Sequence, residues 1–505
     1  MDRTLASAVV LACALLGACG DEAFKSGAVR FSTASLPLTP CRVDGVDSEV
    51  KCATLDVWEN RATEAGRKIP INIVVLPATA RIHEADPIFV FAGGPGQAAT
   101  DLAHAALVMF GELNAKRDLV LVDQRGTGKS NPLNCRMPEL SEVRTADAGK
   151  RDRLVAQKLA DCRDKLTARA DLTQYTTTIA TADFDAVREA LGYGEINLWG
   201  ASYGTRAAME YLRRYPQRVR TVTLDGVEPP SMALPVGFSR DAGAVYDKLF
   251  AACDQDSTCK GHFPALQRDV EMLLESLARK PRRVIIADGL TGRPKEVEVT
   301  RETVLMSVFS TLYAPELTAI LPATLRAAVA GDFAPLLVQG AMFSDFAQEK
   351  LAFGMRLSVV CAEDVPRFTA DEMAGAAKRP PFGRSFVDEF AKACAAWPRA
   401  VVAAGFATPV HSDKPILILS GGLDPVTPPQ YGNEVKKTLS NAVHFIAPNI
   451  GHGVTGRGCA PKLLKKFVES AKVAGLDGEC LKRLPRPLFI EPMKETKKSA
   501  AGGGA

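Results

Sequence analysis

The sequence has no excess of charge of either sign. It carries 62 basic residues against 58 acidic ones among 505, for a net charge of +4. Tracking a phosphate backbone needs a local surplus of Lys and Arg. The body of the chain has no long basic run, so nucleic-acid partners are excluded. Histidine is scarce, with six in the chain, and none of the cysteines has C-x-x-C spacing. A zinc site built from clustered Cys and His is therefore not expected. No internal repeat is present, which excludes a solenoid. What remains is ordinary for a soluble globular protein: 47% apolar and 24% charged residues. The length exceeds that of a typical domain, so a large core with an inserted or second domain is expected.

A long apolar run is missing too. Leu5–Leu16 is too short to span a bilayer as a stable helix and suits the core of a signal peptide. It is followed by Leu16-Gly17-Ala18-Cys19, which resembles the bacterial lipobox, where the cysteine is acylated and becomes the first residue. The alternative is a plain secretory signal with a chance cysteine. Gly20 stands where an aspartate would retain such a lipoprotein at the inner membrane. The expected location is the bacterial cell envelope, lipid-anchored at the outer membrane or facing the periplasm, or the secreted fraction. Membrane contact is expected only through Cys19.

Twelve cysteines do not suit a reducing compartment. Without Cys13 and Cys19 they form neighbouring pairs along the chain: Cys41 with Cys52, Cys135 with Cys162, Cys253 with Cys259, Cys361 with Cys394, and Cys459 with Cys480. Five local disulfides are expected, in line with export.

Short β-rich runs occur at Cys52–Trp58, Ile69–Leu76, Ile88–Ala92 and Leu119–Val122. Helical periodicity covers Thr178–Leu191, and Ile196–Trp199 reads as a buried strand. A helix follows over Thr205–Tyr215, then a strand over Val219–Leu224. This alternation predicts a doubly wound, mostly parallel sheet of the α/β class. From Glu228 to about Val410 the pattern is mainly helical. Strand character then returns at Pro415–Ser420 and His444–Ala447, followed by a helix over Pro461–Ala474. A long helical insertion between late strands of one sheet has the placement of a cap. The expected organisation is a signal peptide over 1–18, a tether over 19–38, a first core part over 39–227 and a cap over 228–410. A second core part over 411–488 and a flexible tail over 489–505 complete it.

Gly200-Ala201-Ser202-Tyr203-Gly204 has the form G-x-S-x-G between a strand and a helix. On that junction a tight turn lifts the serine hydroxyl above the sheet, and the glycines let strand and helix backbones approach. A hydroxyl nucleophile needs a base and a group to orient that base. His452, in Gly451-His452-Gly453 after a late strand, is the candidate base. His444 lies inside an apolar run and reads as structural. Asp424, in Gly422-Leu423-Asp424-Pro425 at the C-terminal end of a strand, is the candidate acid. The N–H of Tyr203 and one from Gly93-Gly94-Pro95-Gly96 would form an oxyanion hole, with Gly94 preferred to Gly93. Gly128-Lys129-Ser130 imitates the end of a phosphate-binding loop, but Asp123 stands where that loop needs its first glycine. Nucleotide binding is rejected, and Asp123 and Arg125 are expected to pair with each other near the active-site loops. This chemistry needs no metal or cofactor.

Gly93–Gly96, Asp123–Ser130, Gly200–Thr205, Leu224-Asp225-Gly226-Val227, Asp424 and Gly451–Gly453 together resemble the proline iminopeptidase and tripeptidyl aminopeptidase family of α/β-hydrolase serine peptidases. The likeness covers both core parts, and Cys52-Ala53-Thr54-Leu55 and Cys459 place it nearer the exported tripeptidyl aminopeptidase branch. Ala92 departs from the histidine many iminopeptidases carry there, which argues against strict proline specificity. The resemblance implies a serine aminopeptidase acting on peptides from the free N-terminus. It also implies acidic cap residues that bind the substrate α-amino group: Glu363 first, then Asp364, with Glu228 as a third choice. The alternatives are an esterase or other small-molecule hydrolase on the same fold and, more remotely, a non-catalytic surface-binding lipoprotein.

Overall fold

Apolar alternation builds the sheet and buries both of its faces. A computed structural model describes residues 36–135, 148–287 and 292–491. Its main strands are β1 (Thr39–Cys41), β2 (Val50–Trp58), β3 (Lys68–Leu76), β4 (Ile88–Phe91), β5 (Leu119–Val122), β6 (Ile196–Ala201) and β7 (Val219–Asp225). A hairpin of β8 (Arg282–Ala287) and β9 (Pro294–Val299) stands apart, and β10 (Ile416–Gly421) and β11 (Ala442–Ala447) complete the sheet. The nine-stranded sheet runs β1-β2-β3-β5-β4-β6-β7-β10-β11. Pairing is antiparallel from β1 to the β3–β5 contact and parallel from there to β11.

Residues of period two separate cleanly. Ile71, Ile73, Phe89, Phe91, Val120, Leu198, Leu224 and Ile418 enter one buried cluster. Val74, Leu76, Val90, Leu121, Trp199 and Leu419 enter another on the opposite face. Helices Thr177–Ala190 and Tyr203–Arg214 cover the first face through Phe184, Val187, Ala208 and Tyr211. Helices Ala103–Asn114 and Ala460–Ser470 cover the second through Phe110, Leu113, Leu464 and Phe467. Burial on both faces explains why the strands read as continuous apolar runs.

Between β7 and β10 the chain is mainly helical, with the β8–β9 hairpin as the exception. The helices of this insertion gather in two clusters. One, around Leu249, Phe309, Leu325 and Phe386, also takes in Leu423 and Val426 beside Asp424. The other, around Met355, Val359, Cys361 and Trp397, takes in Tyr203 beside Ser202. The insertion thus packs beside both Asp424 and Ser202.

The structure joins Cys41–Cys52, Cys135–Cys162, Cys253–Cys259, Cys361–Cys394 and Cys459–Cys480. The signal segment and Cys19 lie outside the described residues. The stretch read as a tether to residue 38 already joins the fold at Leu36, whose N–H bonds Ala190 O at 2.8 Å. The segment read as a tail from residue 489 begins docked: Arg486 stacks on Phe489, and Ile490 N–H bonds Ala319 O at 3.1 Å. These contacts come from sparse apolar residues in polar stretches, too few to register as a periodic pattern. No helix among the described residues is long and apolar enough to cross a membrane.

Candidate active site

Ser202 is the hinge between β6 and helix Tyr203–Arg214. Its backbone has φ 55° and ψ −128°, left-handed territory that a non-glycine residue adopts only under constraint. Two flanking glycines make that turn possible. A Cβ on Gly200 would lie 2.3 Å from Gly204 O, and one on Gly204 would lie 2.0 Å from Phe91 O. The helix therefore sits directly against the ends of β6 and β4, and the serine projects from the crossing. As the first helical residue, Tyr203 has no intrahelical acceptor for its N–H. Opposite, a Cβ on Gly93 would come within 3.2 Å of Ser202 Cβ, so the Gly93–Gly96 loop borders the serine. The Gly93 N–H is taken by Gln97 Oε1 at 3.3 Å. Gly94 follows at φ +116°, ahead of a cis bond to Pro95.

Asp424 and His452 lie on the loops after β10 and β11, and His452 Nδ1 is 2.8 Å from Asp424 Oδ2. The N–H groups of Val426 and Thr427 donate to Asp424 Oδ1 at 2.9 and 2.8 Å. The Thr427 hydroxyl donates to Asp424 Oδ2 at 2.7 Å and lies 3.1 Å from His452 Nδ1. Burial opposes ionisation of Asp424, but His452 and these N–H donors outweigh it and hold the carboxyl below its ordinary value. For His452, burial pulls downward. Asp424 and, more weakly, Asp225 and Glu228 outweigh that and raise the imidazole above 6.5. The Tyr313 ring meets His452 edge-on at 5.3 Å, and Tyr313 O accepts the His452 N–H at 2.9 Å.

His444 is a structural residue, held between Asn433 Oδ1 and Ser420 Oγ at 2.9 Å each, with burial lowering its pKa to about 4.

The three cap acids converge on one buried cation. Arg206, one turn after Ser202, has no exposed side-chain surface. Its Nη1 bonds Asp364 Oδ1 at 2.9 Å, and its Nε is 2.8 Å from Glu228 Oε1 in an ion pair without hydrogen-bond alignment. Glu363 accepts the Thr177 N–H at 2.6 Å and the Thr177 hydroxyl at 2.7 Å. That hydroxyl is 2.6 Å from Tyr203 Oη. Burial pushes Glu228 up to about 7 and Glu363 up to about 8, against the pull of Arg206. None of the three is a solvated turn residue. Glu228 Oε1 and Asp364 Oδ2 have no hydrogen-bond partner, whereas both Glu363 oxygens are in use.

The expected Asp123–Arg125 pair does not form. Asp123 accepts from Thr100 N–H and Oγ1, Asn72 Nδ2 and Lys129 N–H at 2.8 to 3.1 Å. Arg125 instead pairs with Asp183 at 2.6 and 2.9 Å and caps Glu59 O and Gln174 O. Residues two apart on a strand share a face, but β5 ends at Val122 and the chain turns over residues 123–130, so Asp123 and Arg125 are free to point apart. Sequence reasoning also missed Arg206, Thr177, Thr427, Tyr313 and the side chain of Asp225. A charged residue on the buried side of an otherwise packed helix is the one signal that could have found Arg206. Thr177 and Tyr313 reach the site from distant segments.

Among curated proteins, serine protease Hip1 of Mycobacterium tuberculosis is 24% identical over 438 residues, spanning 80% of this chain and 83% of Hip1. Tripeptidyl aminopeptidase of Streptomyces lividans is 28% identical over 221 residues, 40% of each chain. Proline iminopeptidase of Neisseria gonorrhoeae is 26% identical over 141 residues, 28% of this chain and 32% of that one. The profile of the α/β hydrolase fold family matches residues 86–454, from just before β4 to just past His452. With its sheet order, its serine turn after β6 and its acid and histidine after the last two strands, the chain belongs to the α/β-hydrolase fold family.

Proposed function

We propose that this protein is an exported serine aminopeptidase. Ser202 Oγ attacks the scissile carbonyl while His452 accepts its proton, and Asp424 holds the imidazole tautomer and balances the imidazolium. The Tyr203 and Gly94 N–H groups receive the oxyanion. His452 then protonates the leaving amine, and water releases the acyl group by the reverse relay. The observation that carries the hydrolase reading is the 2.8 Å Asp424–His452 pair on the sheet edge that bears the strained Ser202 turn.

The exopeptidase part rests on the acid cluster. Three carboxylates surround Arg206, and one of their buried oxygens, Asp364 Oδ2, has no donor, while Glu228 Oε1 meets Arg206 Nε without hydrogen-bond alignment. A substrate α-ammonium supplies three N–H donors and one positive charge to a cluster whose three carboxylates share Arg206 and, at Asp364, Arg367. Both Glu363 oxygens are engaged by Thr177, so Asp364, with Oδ2 unpartnered, becomes the first choice for amine binding, followed by Glu228. The five disulfides suit an oxidising compartment, in keeping with export and with an anchor at Cys19. The peptidases among the relatives support a peptide substrate.

The test is a panel of fluorogenic aminoacyl and tripeptidyl substrates, free and N-acetylated, with fluorophosphonate labelling of Ser202. Labelling with strong preference for free amines is the expected result. Equal cleavage of acetylated peptides would remove the exopeptidase reading, and faster turnover of simple esters than of any peptide would favour an esterase.

A further inference from the structure

Asp225, the last residue of β7, contacts both halves of the site. Its backbone oxygen accepts the Ser202 N–H at 3.0 Å. Its carboxylate accepts the Val454 N–H on both oxygens at 2.9 Å and the Thr455 N–H on Oδ2 at 2.7 Å. These donors follow His452 by two and three residues. The Thr455 hydroxyl accepts Trp199 Nε1 at 3.0 Å, and Trp199 lies on the strand that leads into Ser202. The next residue, Gly226, bonds Leu419 O at 3.0 Å, tying the junction to the strand that ends before Asp424. A Cβ on Gly226 would come within 3.4 Å of His452 Cε1 and 3.5 Å of Asp424 Oδ2, so this segment runs directly beneath the acid–base pair.

We propose that Asp225 is a positioning residue: it locks the serine turn and the histidine loop in one register and places a second negative charge beside His452. The inference rests on the reading of Ser202 and His452 as nucleophile and base. The Asp225 side chain is almost wholly buried, and that burial raises its carboxyl above the ordinary value, while the Thr455 hydroxyl, the Val454 and Thr455 N–H groups and the nearby His452 favour its ionised form. Among the described residues no Lys or Arg side chain pairs with it. Its charge is therefore free to favour the imidazolium that forms when Ser202 gives up its proton. The other groups bearing on His452 are Asp424 in direct contact, Glu228, the Thr427 hydroxyl and the Tyr313 ring, with Arg206, Asp364, Arg356 and Arg367 acting in turn on Glu228. Asp225 differs from Asp424 in holding the histidine through the main chain of its loop.

The experiment compares Asp225→Asn and Asp225→Glu with the wild-type full chain, using a free-amine peptide and a small activated ester. Asparagine removes the charge and puts an amide donor against backbone N–H groups. With Asp225→Asn, kcat should fall by roughly 10–100-fold on both substrates with KM little changed. The acid limb of the kcat/KM profile should move to lower pH by about 0.5, because a negative charge beside the imidazole is gone. Asp225→Glu keeps the charge but displaces the loop, so kcat should fall while the acid limb stays in place. A profile for Asp225→Asn that superimposes on wild type would overturn the charge role. If that variant does not fold, wild-type kcat in Asp225→Glu would overturn the positioning role. Ser202→Ala and fluorophosphonate labelling run alongside: if these fail, the nucleophile assignment falls, and if they succeed while Asp225 is silent, this inference alone falls.

Discussion

Removing Arg206 tests whether the acid cluster carries the charge its geometry implies. Arg206 has no exposed side-chain surface and is the buried cation among Asp364, Glu228 and Glu363. Arg206→Met keeps most of the volume and deletes the charge. Breaking a buried ion pair by removing one partner costs about 3–5 kcal/mol, because the remaining charges stay desolvated. Here the carboxylates can escape that cost by taking up protons. Glu228 and Glu363 already titrate at about 7 and about 8, above their ordinary 4.5, with Arg206 pulling them down. Without it both rise further. The unfolded chain releases these protons near 4.5 in either protein, whereas the folded variant keeps them past the pH at which the folded wild type lets them go. Wherever the folded state holds more protons than the unfolded, stability falls as pH rises. The stability gap between variant and wild type should therefore open as pH climbs through 7 to 8. Below that range a smaller remainder persists from the lost Asp364 pair, which Arg367 at 3.2 Å partly replaces. Thermal melts of both proteins at about pH 5.5 and about pH 8.5 would read the gap. An equal gap at the two values would show that these carboxyls do not titrate as a cluster around Arg206.

The remaining predictions concern the chemistry, the disulfides and the anchor. Ser202→Ala and His452→Ala should each lower kcat by several orders of magnitude with the melting temperature little changed, and Asp424→Ala should cost less; near-normal activity in Ser202→Ala would refute the mechanism. Because His452 is raised above 6.5 and must be neutral to accept a proton, kcat/KM should fall as pH drops through a value above 6.5; a limb near pH 4 would indicate a carboxylate base. Non-reducing peptide mapping should recover the five local disulfides, and Cys361→Ser with Cys394→Ser should destabilise the cap by about 2–4 kcal/mol, measured by denaturant titration. Cys19→Ser should move the protein from the membrane to the soluble fraction, and a wild-type protein already soluble would point to a plain signal peptide.

The core was legible because local patterns determine it. The apolar run Leu119–Val122 and the mostly apolar Ile196–Trp199, each bounded by turn residues, fit strands buried on both faces, and G-x-S-x-G at Gly200–Gly204 needs its glycines for the 2.0 and 2.3 Å approaches found there. The order serine, acid, histidine followed from the loops in which Asp424 and His452 stand. The helix over Ala103–Asn114 was not read, because its apolar residues are spread too evenly to mark one face. The strands Arg282–Ala287 and Pro294–Val299 were absorbed into a helical reading, since a pair that buries little beyond Val297 and Val299 leaves a weak signal in a polar stretch.

Pairing between distant charges is where sequence alone stopped. Asp123 and Arg125 are two residues apart, yet one side chain turns to Thr100 and Asn72 and the other to Asp183. Glu363, Asp364 and Glu228 are acids in any reading, but only the folded chain brings Arg206 among them and leaves Asp364 Oδ2 without a partner. Asp225 stood in a recognised motif without a role until the fold set Val454 and Thr455 against its carboxylate. Sequence specifies which backbone each segment adopts, because those preferences act over a few residues. Partners of a buried charge are chosen by packing across the whole molecule, and desolvation makes that choice decisive.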